Sequence, residues 1–138
     1  MNSISCLVVS KSYKLLNQLI ISLDKARKDW SDSDEILCSW NGSDDDEERI
    51  ITGQKLEFRV GQKEPYHFAK NINALAKIAK GDYVLIINDD VILDENSIDK
   101  SLEIIEENTN IGILGGLLRT SNKNLSHAGV LINCDLMP

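Results

Sequence analysis

Aromatic side chains make up only 5% of this 138-residue chain, and it carries just two prolines, eight glycines and three cysteines. So little proline and glycine argues against a collagen-like or low-complexity architecture and leaves long stretches free to form regular elements. Cys6, Cys38 and Cys134 are odd in number and far apart. No Cys-x-x-Cys or paired Cys/His spacing joins them, which argues against a disulfide framework or a zinc site; reduced core thiols are expected instead. No apolar run approaches the roughly 20 residues needed to cross a bilayer, so no membrane span is expected. Residues Met1 to Ser10 lack the basic start and small-residue cleavage site of a secretory signal, which places the expected protein in the cytoplasm. Basic residues are in deficit: 15 Lys and Arg stand against 22 Asp and Glu, a net charge of -7. That balance argues against a nucleic-acid groove, where cations must neutralise phosphates. Two motifs are also missing: a Gly-x-x-x-x-Gly-Lys-Ser/Thr phosphate loop and a Gly-x-Ser-x-Gly nucleophile elbow.

Apolar residues make up 42% of the chain, enough to bury one core, and a single domain spanning 1–138 is expected. Five of the 22 acids fall together at Asp44-Asp45-Asp46-Glu47-Glu48, and the remaining 17 nearly balance the 15 bases. The run itself reads as a solvated loop.

Periodicity supplies the order of elements. Ile4 to Val9 is a short β-branched stretch suited to a strand covered on both faces. Between Tyr13 and Lys28, Leu15, Leu16, Leu19, Ile20 and Leu23 form one apolar stripe of a helix, with Ser12 as its N-cap. Glu35 to Trp40 reads as a second strand ending in the turn Asn41-Gly42-Ser43-Asp44. Lys55 to Val60 alternates polar and apolar like an edge strand. After Pro65 comes a helix with Phe68, Ile72, Leu75, Ala76 and Ala79 on one face and Gly81 as its stop. Asp82 to Ile87 is the most apolar strand candidate and suggests the centre of a parallel sheet. Asp94 or Asn96 can cap a further helix reaching about Asn108, with Ile98, Leu102 and Ile105 inward. Ile111 to Arg119 and Leu125 to Asn133 read as two last strands joined by the turn-rich Thr120 to Asn124.

Strands alternating with helices predict an α/β fold: an open, mostly parallel sheet with helices on both faces. Ligands of such sheets bind at the carboxyl ends of the strands. Three polar clusters fall on that edge: Ser10-Lys11-Ser12, Asn41-Gly42-Ser43 and Asn88-Asp89-Asp90. Adjacent carboxylates at the end of a buried strand repel each other and lose solvation, so a cation or a hydrogen-bond donor is the expected compensation, a hard divalent ion being the economical candidate. Mg2+ or Mn2+ suits oxygen donors, commonly one or two carboxylates with substrate phosphates completing the shell. Such an ion would also let an acidic protein hold a diphosphate. Read without that context, Asn88-Asp89-Asp90 is a polar turn into Val91-Ile92-Leu93. His67 and His127 are isolated and read as surface or packing groups, and Trp30 and Trp40 as packing groups or rims.

The segment Phe68 to Leu75, followed by Ala79-Lys80-Gly81-Asp82 and the strand running into Asn88-Asp89-Asp90, resembles glycosyltransferase family 2 where that family approaches its Asp-x-Asp-type motif. Ile4 to Ser12 resembles the family's first strand and nucleotide loop, and Glu35 to Asp45 its second. Gly112 to Asn133, with Ser126-His127-Ala128-Gly129, is similar to bacterial rhamnosyltransferase-like members. The resemblance implies a GT-A, nucleotide-diphospho-sugar transferase-like fold and a glycosyltransferase of hexosyltransferase type, active in polysaccharide biosynthesis. It implies a nucleotide-diphospho-sugar donor, a divalent metal (Mn2+ or Mg2+), and inverting transfer to a saccharide or lipid-linked acceptor.

Carried over by position, Asp90 would hold the metal and Asp89 would approach it or the ribose. Asn41 would face the base, with Ser10 beside it, and Lys70 and Asn71 would lie near the diphosphate and sugar. Trp40-Asn41 departs from the family's Asp-Asp or Asp-Asn pair, and Lys11-Ser12 from its Tyr-Asn, which leaves nucleotide choice open. The catalytic base of inverting members lies downstream of the metal motif, and nothing up to Pro138 matches it. The chain is therefore expected to be the nucleotide-sugar-binding portion of a longer enzyme. A non-catalytic binding or interaction module on the same fold is the alternative. A receiver-like signalling domain fits less well, because Ser10-Lys11-Ser12 stands where its acidic pair would follow the first strand. Nothing in the sequence excludes a homo-oligomer.

Overall fold

The computed structural model describes residues 2–51, 57–60 and 65–129. Lys55, Leu56, Cys134 and the stretch 130–133 of the expected last strand lie outside the described residues. Two compact units divide the chain at Lys100. The first holds β1 (Ile4–Ser10), α1 (Tyr13–Ala26), β2 (Glu35–Trp40), α2 (Asp44–Glu47), β3 (Glu57–Val60), α3 (Phe68–Ala76), β4 (Tyr83–Ile86) and the start of α4 (Ser97–Glu107). Its four strands are all parallel, in the order β3-β2-β1-β4, so the expected parallel α/β sheet is present.

β1 is the central strand, and all seven of its residues are buried. In register with it, Leu7 stands beside Leu37 and Val9 beside Ser39. Side chains alternate across a strand, so Leu7, Val9 and Leu37 share one face. There they form a cluster with Ile72 and Leu75 of α3. The alternate residues Cys6, Val8, Ile36 and Cys38 are also fully buried, as are Leu16, Leu19, Ile20 and Leu23 of α1. A parallel sheet reads as near-continuous apolar strands because each face needs such a cover.

Four expectations change. β4 is the outer strand among the described residues, not the centre; it pairs only with β1 there, and Val84 and Ile86 are 47% and 56% exposed. The acidic run is not a loop but the short helix α2, capped by the Ser43 side chain accepting from the Asp46 N–H. Acids in a first turn meet the positive end of the helix dipole, which favours that outcome. Phe68 and Ala76 are exposed rather than inward, and the buried face of α3 is carried by Asn71, Ile72 and Leu75. In the second unit, the expected strand from Ile111 is reduced to β5 (Leu118–Arg119), which pairs antiparallel with β6 (Leu125–His127) among the described residues, both with exposed residues.

The amino edge of the sheet is locked by buried polar groups. Arg27 Nη1 and Asp34 Oδ1 pair at 2.9 Å with almost no exposure. Asp34 also accepts from the Ile4 and Ser31 N–H groups, and Arg27 Nη2 donates to the Asn2 carbonyl. Glu35 Oε1 accepts from the Ser5 hydroxyl and the Lys80 N–H, both at 2.8 Å. Gly81 is more than a helix stop: a Cβ there would lie 2.4 Å from the Ser5 nitrogen, so only glycine permits the approach. No helix among the described residues is long and apolar enough to cross a membrane.

Candidate functional site at the carboxyl edge of the sheet

Because the strands are parallel, Ser10, Trp40 and the residues after Ile86 emerge at one edge. The Asn41 N–H donates to the Ser10 carbonyl at 2.8 Å and the Ile87 N–H to the Leu7 carbonyl at 3.1 Å, so both ladders continue to the site. Ser10 is buried, and its hydroxyl donates to Asp89 Oδ2 at 2.6 Å. Ser10 Oγ in turn accepts from the Ser12 N–H at 3.2 Å, just before α1 begins. A hydrogen bond to a charged group contributes about 1.5–3 kcal/mol. Here it ties the first strand-end loop to the acidic pair.

Asp89 is half-buried, while Asn88 and Asp90 are exposed. The turn, marked by the Val91 N–H donating to the Asn88 carbonyl, thus sends Asp89 toward Ser10 and leaves Asp90 to solvent. Among the described residues no group of three or more His, Cys, Asp or Glu side chains comes together to hold a metal. The turn carries two adjacent carboxylates, Asp89 bonded to Ser10 and Asp90 exposed. That composition fits a hard divalent ion whose remaining ligands are phosphates and water.

Trp40 is the wedge beneath the second loop. It is buried, and its indole N–H donates to the Ser43 carbonyl at 3.1 Å. A Cβ on Gly42 would lie 2.2 Å from Trp40 Cζ2, so the Asn41-Gly42-Ser43 turn lies flat on the ring. Trp30 is a stacking group, with the Arg27 guanidinium 5.4 Å from its ring centre. Cys38 is held as a thiol: burial first, then the Asp89 carboxylate, pushes it up to about 12. Cys6 reaches about 12 as well, chiefly through burial and then Asp34. Both are free, buried cysteines, as a reduced-core reading expects.

Of the six residues singled out from sequence, Ser10 and Asp89 are in direct contact, and Asn41 is joined to Ser10 through the backbone. Asp90 is exposed in the same turn. Lys70 and Asn71 lie together in the first turn of α3 but face differently: Lys70 is exposed, whereas Asn71 is 1% exposed. Asn71 Nδ2 donates to Ser39 Oγ at 2.7 Å, and Asn71 Oδ1 accepts from the His67 N–H at 2.7 Å. Its amide therefore serves the fold. His67, read from sequence as an isolated ring, is the N-cap of α3, its Nδ1 accepting from the Lys70 N–H at 3.3 Å. His127 lies in β6 of the second unit, exposed.

Among curated proteins, no match to this chain is found. The family model for glycosyl transferase family 2 matches residues 8–129, from within β1 to just past β6. With a parallel α/β sheet whose first and fourth strands meet at a Ser10–Asp89 contact, and a family match over most of its length, the chain belongs to glycosyltransferase family 2.

Proposed function

We propose that this domain holds a nucleotide-diphospho-sugar across the carboxyl ends of β1, β2 and β4, through Mg2+ or Mn2+ at Asp89 and Asp90. The sugar would pass, with inversion, to a saccharide or lipid-linked acceptor in the cytoplasm. Membership in the family implies a sugar donor and an acceptor; the finer assignments rest on the arrangement of this edge. The observation that carries them is the 2.6 Å bond from Ser10 to Asp89, which brings the nucleotide-side loop and the acidic turn together.

Each residue has a distinct role in this reading. Ser10 orients Asp89 by donating to one carboxylate oxygen, which leaves the other free for a cation. Asp90, exposed beside it, supplies the second carboxylate. Asn41, on a turn flattened against Trp40, faces the base, and Lys70 adds a cation for the diphosphate. When bound, the metal supplies positive charge that neutralises the departing diphosphate. Cys38 stays protonated below the site, so it adds no further negative charge there.

Calorimetric titration of uridine, guanosine and thymidine diphosphates, with and without manganese, tests the reading. Heat that needs the metal and disappears in Asp90→Ala supports it. Binding indifferent to both would identify a non-catalytic module on the same fold.

A further inference from the structure

A positioning residue emerges from the hydrogen bonds at the start of α3. Ser39 Oγ, near the end of β2, accepts from Asn71 Nδ2 at 2.7 Å. Asn71 Oδ1 accepts from the His67 backbone N–H at 2.7 Å. His67 Nδ1 then accepts from the Lys70 N–H at 3.3 Å. The chain of contacts thus starts on a buried strand and ends on the backbone of an exposed lysine.

We propose that His67 is a positioning residue for Lys70, its ring capping α3 so that the lysine is presented at the carboxyl edge of β2 to a diphosphate. The inference rests on the reading of that edge as a diphosphate site. Two physical points carry it. The first N–H groups of a helix have no partner within the helix, so an uncapped first turn frays, and any side chain on it loses its fixed origin. Histidine is a poor choice for that task on propensity grounds, since Ser, Thr, Asp and Asn are the common caps. Here the His67 backbone N–H is clamped by Asn71 Oδ1, and Asn71 is itself anchored to β2, which fixes the residue that carries the capping ring.

A second consequence concerns Asn71. With Nδ2 directed to Ser39 and Oδ1 to His67, the amide acts through the cap instead of touching the donor.

The test is a double-mutant cycle on the full 138-residue chain, reading the affinity for uridine, guanosine and thymidine diphosphates in manganese. His67→Ala is expected to weaken binding about fivefold, and His67→Ser, which restores an N-cap acceptor, to recover most of it. In a Lys70→Ala background, His67→Ala should change nothing further, because the two act as one unit. Ser39→Ala enters the same chain from its other end and should show the same dependence on Lys70 with a smaller loss. Independent, multiplying effects of His67→Ala and Lys70→Ala would overturn the proposal, as would a failure of serine to rescue. If none of the diphosphates binds the unmodified chain, the site reading fails and this inference falls with it. If they bind and the cycle is additive, only the positioning role falls.

Discussion

The two edges of the sheet use polar side chains in opposite ways. At the amino edge, Arg27, Asp34, Ser5, Glu35, Ser3 and Asp82 bond to one another and to nearby backbone. At the carboxyl edge, Asp89 is only half-buried and Asp90 is exposed, with Ser10 the anchor between loop and acid. One edge ties its charged groups into hydrogen bonds that stabilise the fold; the other leaves carboxylate oxygens exposed to solvent. A substitution at the first should act on stability, and one at the second on ligand binding.

The largest expected effect is at the amino edge. Asp34→Ala strands Arg27 in a buried position, and breaking a buried pair costs about 3–5 kcal/mol. Urea unfolding should show that loss; a change near zero would mean that Arg27 finds water. Gly81→Ala forces a Cβ against the Ser5 backbone, and overpacking of this kind costs about 1–3 kcal/mol. Its thermal midpoint should fall while any nucleotide affinity of the folded fraction stays the same. At the other edge the emphasis should shift to binding: Ser10→Ala is expected to weaken manganese-dependent diphosphate binding about tenfold, with a stability loss of no more than about 1.5–3 kcal/mol from its one hydrogen bond to the Asp89 carboxylate, below that of Asp34→Ala. Equal losses at both edges would remove the distinction.

The smallest effect concerns acid. Backbone and side-chain hydrogen bonds from Ser3 hold the exposed Asp82 carboxyl below its usual value of 3.8. A depressed carboxyl contributes stability above its unfolded value, and that contribution is lost as pH falls through the folded one. Wild type and Asp82→Asn should therefore differ slightly at neutral pH and converge in strong acid. A gap that widens on acidification would contradict the assignment.

Much of the frame was legible in the residues. The leucine and isoleucine spacing from Tyr13 onward marked α1, and Ser12 was readable as its cap because its hydroxyl precedes the stripe. The strands ending at Ser10, Trp40 and Ile86 identified the edge on which Ser10 and Asp89 meet. Other features depend on partners distant in sequence. Apolarity and its position after the second helix suggested the centre for β4, whereas order in a sheet is set by pairing, and β1 and β2 hold the inner places. The glycine-containing stretch after Ile111 carried a strand-like pattern, but among the described residues only Leu118–Arg119 of it pairs, with Leu125–His127. The role of His67 was hidden because an isolated histidine carries no cap signature. The clue was Asn71 four residues on, whose burial against Ser39 depends on contact with a strand more than thirty residues away.

The central claim is that Asp89 and Asp90 anchor a cation shared with a diphosphate. Electron paramagnetic resonance of manganese reads this directly, since the signal of the free ion diminishes on binding. The account predicts a strong decrease when protein and a nucleoside diphosphate are both present, beyond that given by either alone, and its loss in Asp90→Ala. An Asp90→Ala protein that still captures the manganese–diphosphate pair as well as wild type would contradict it.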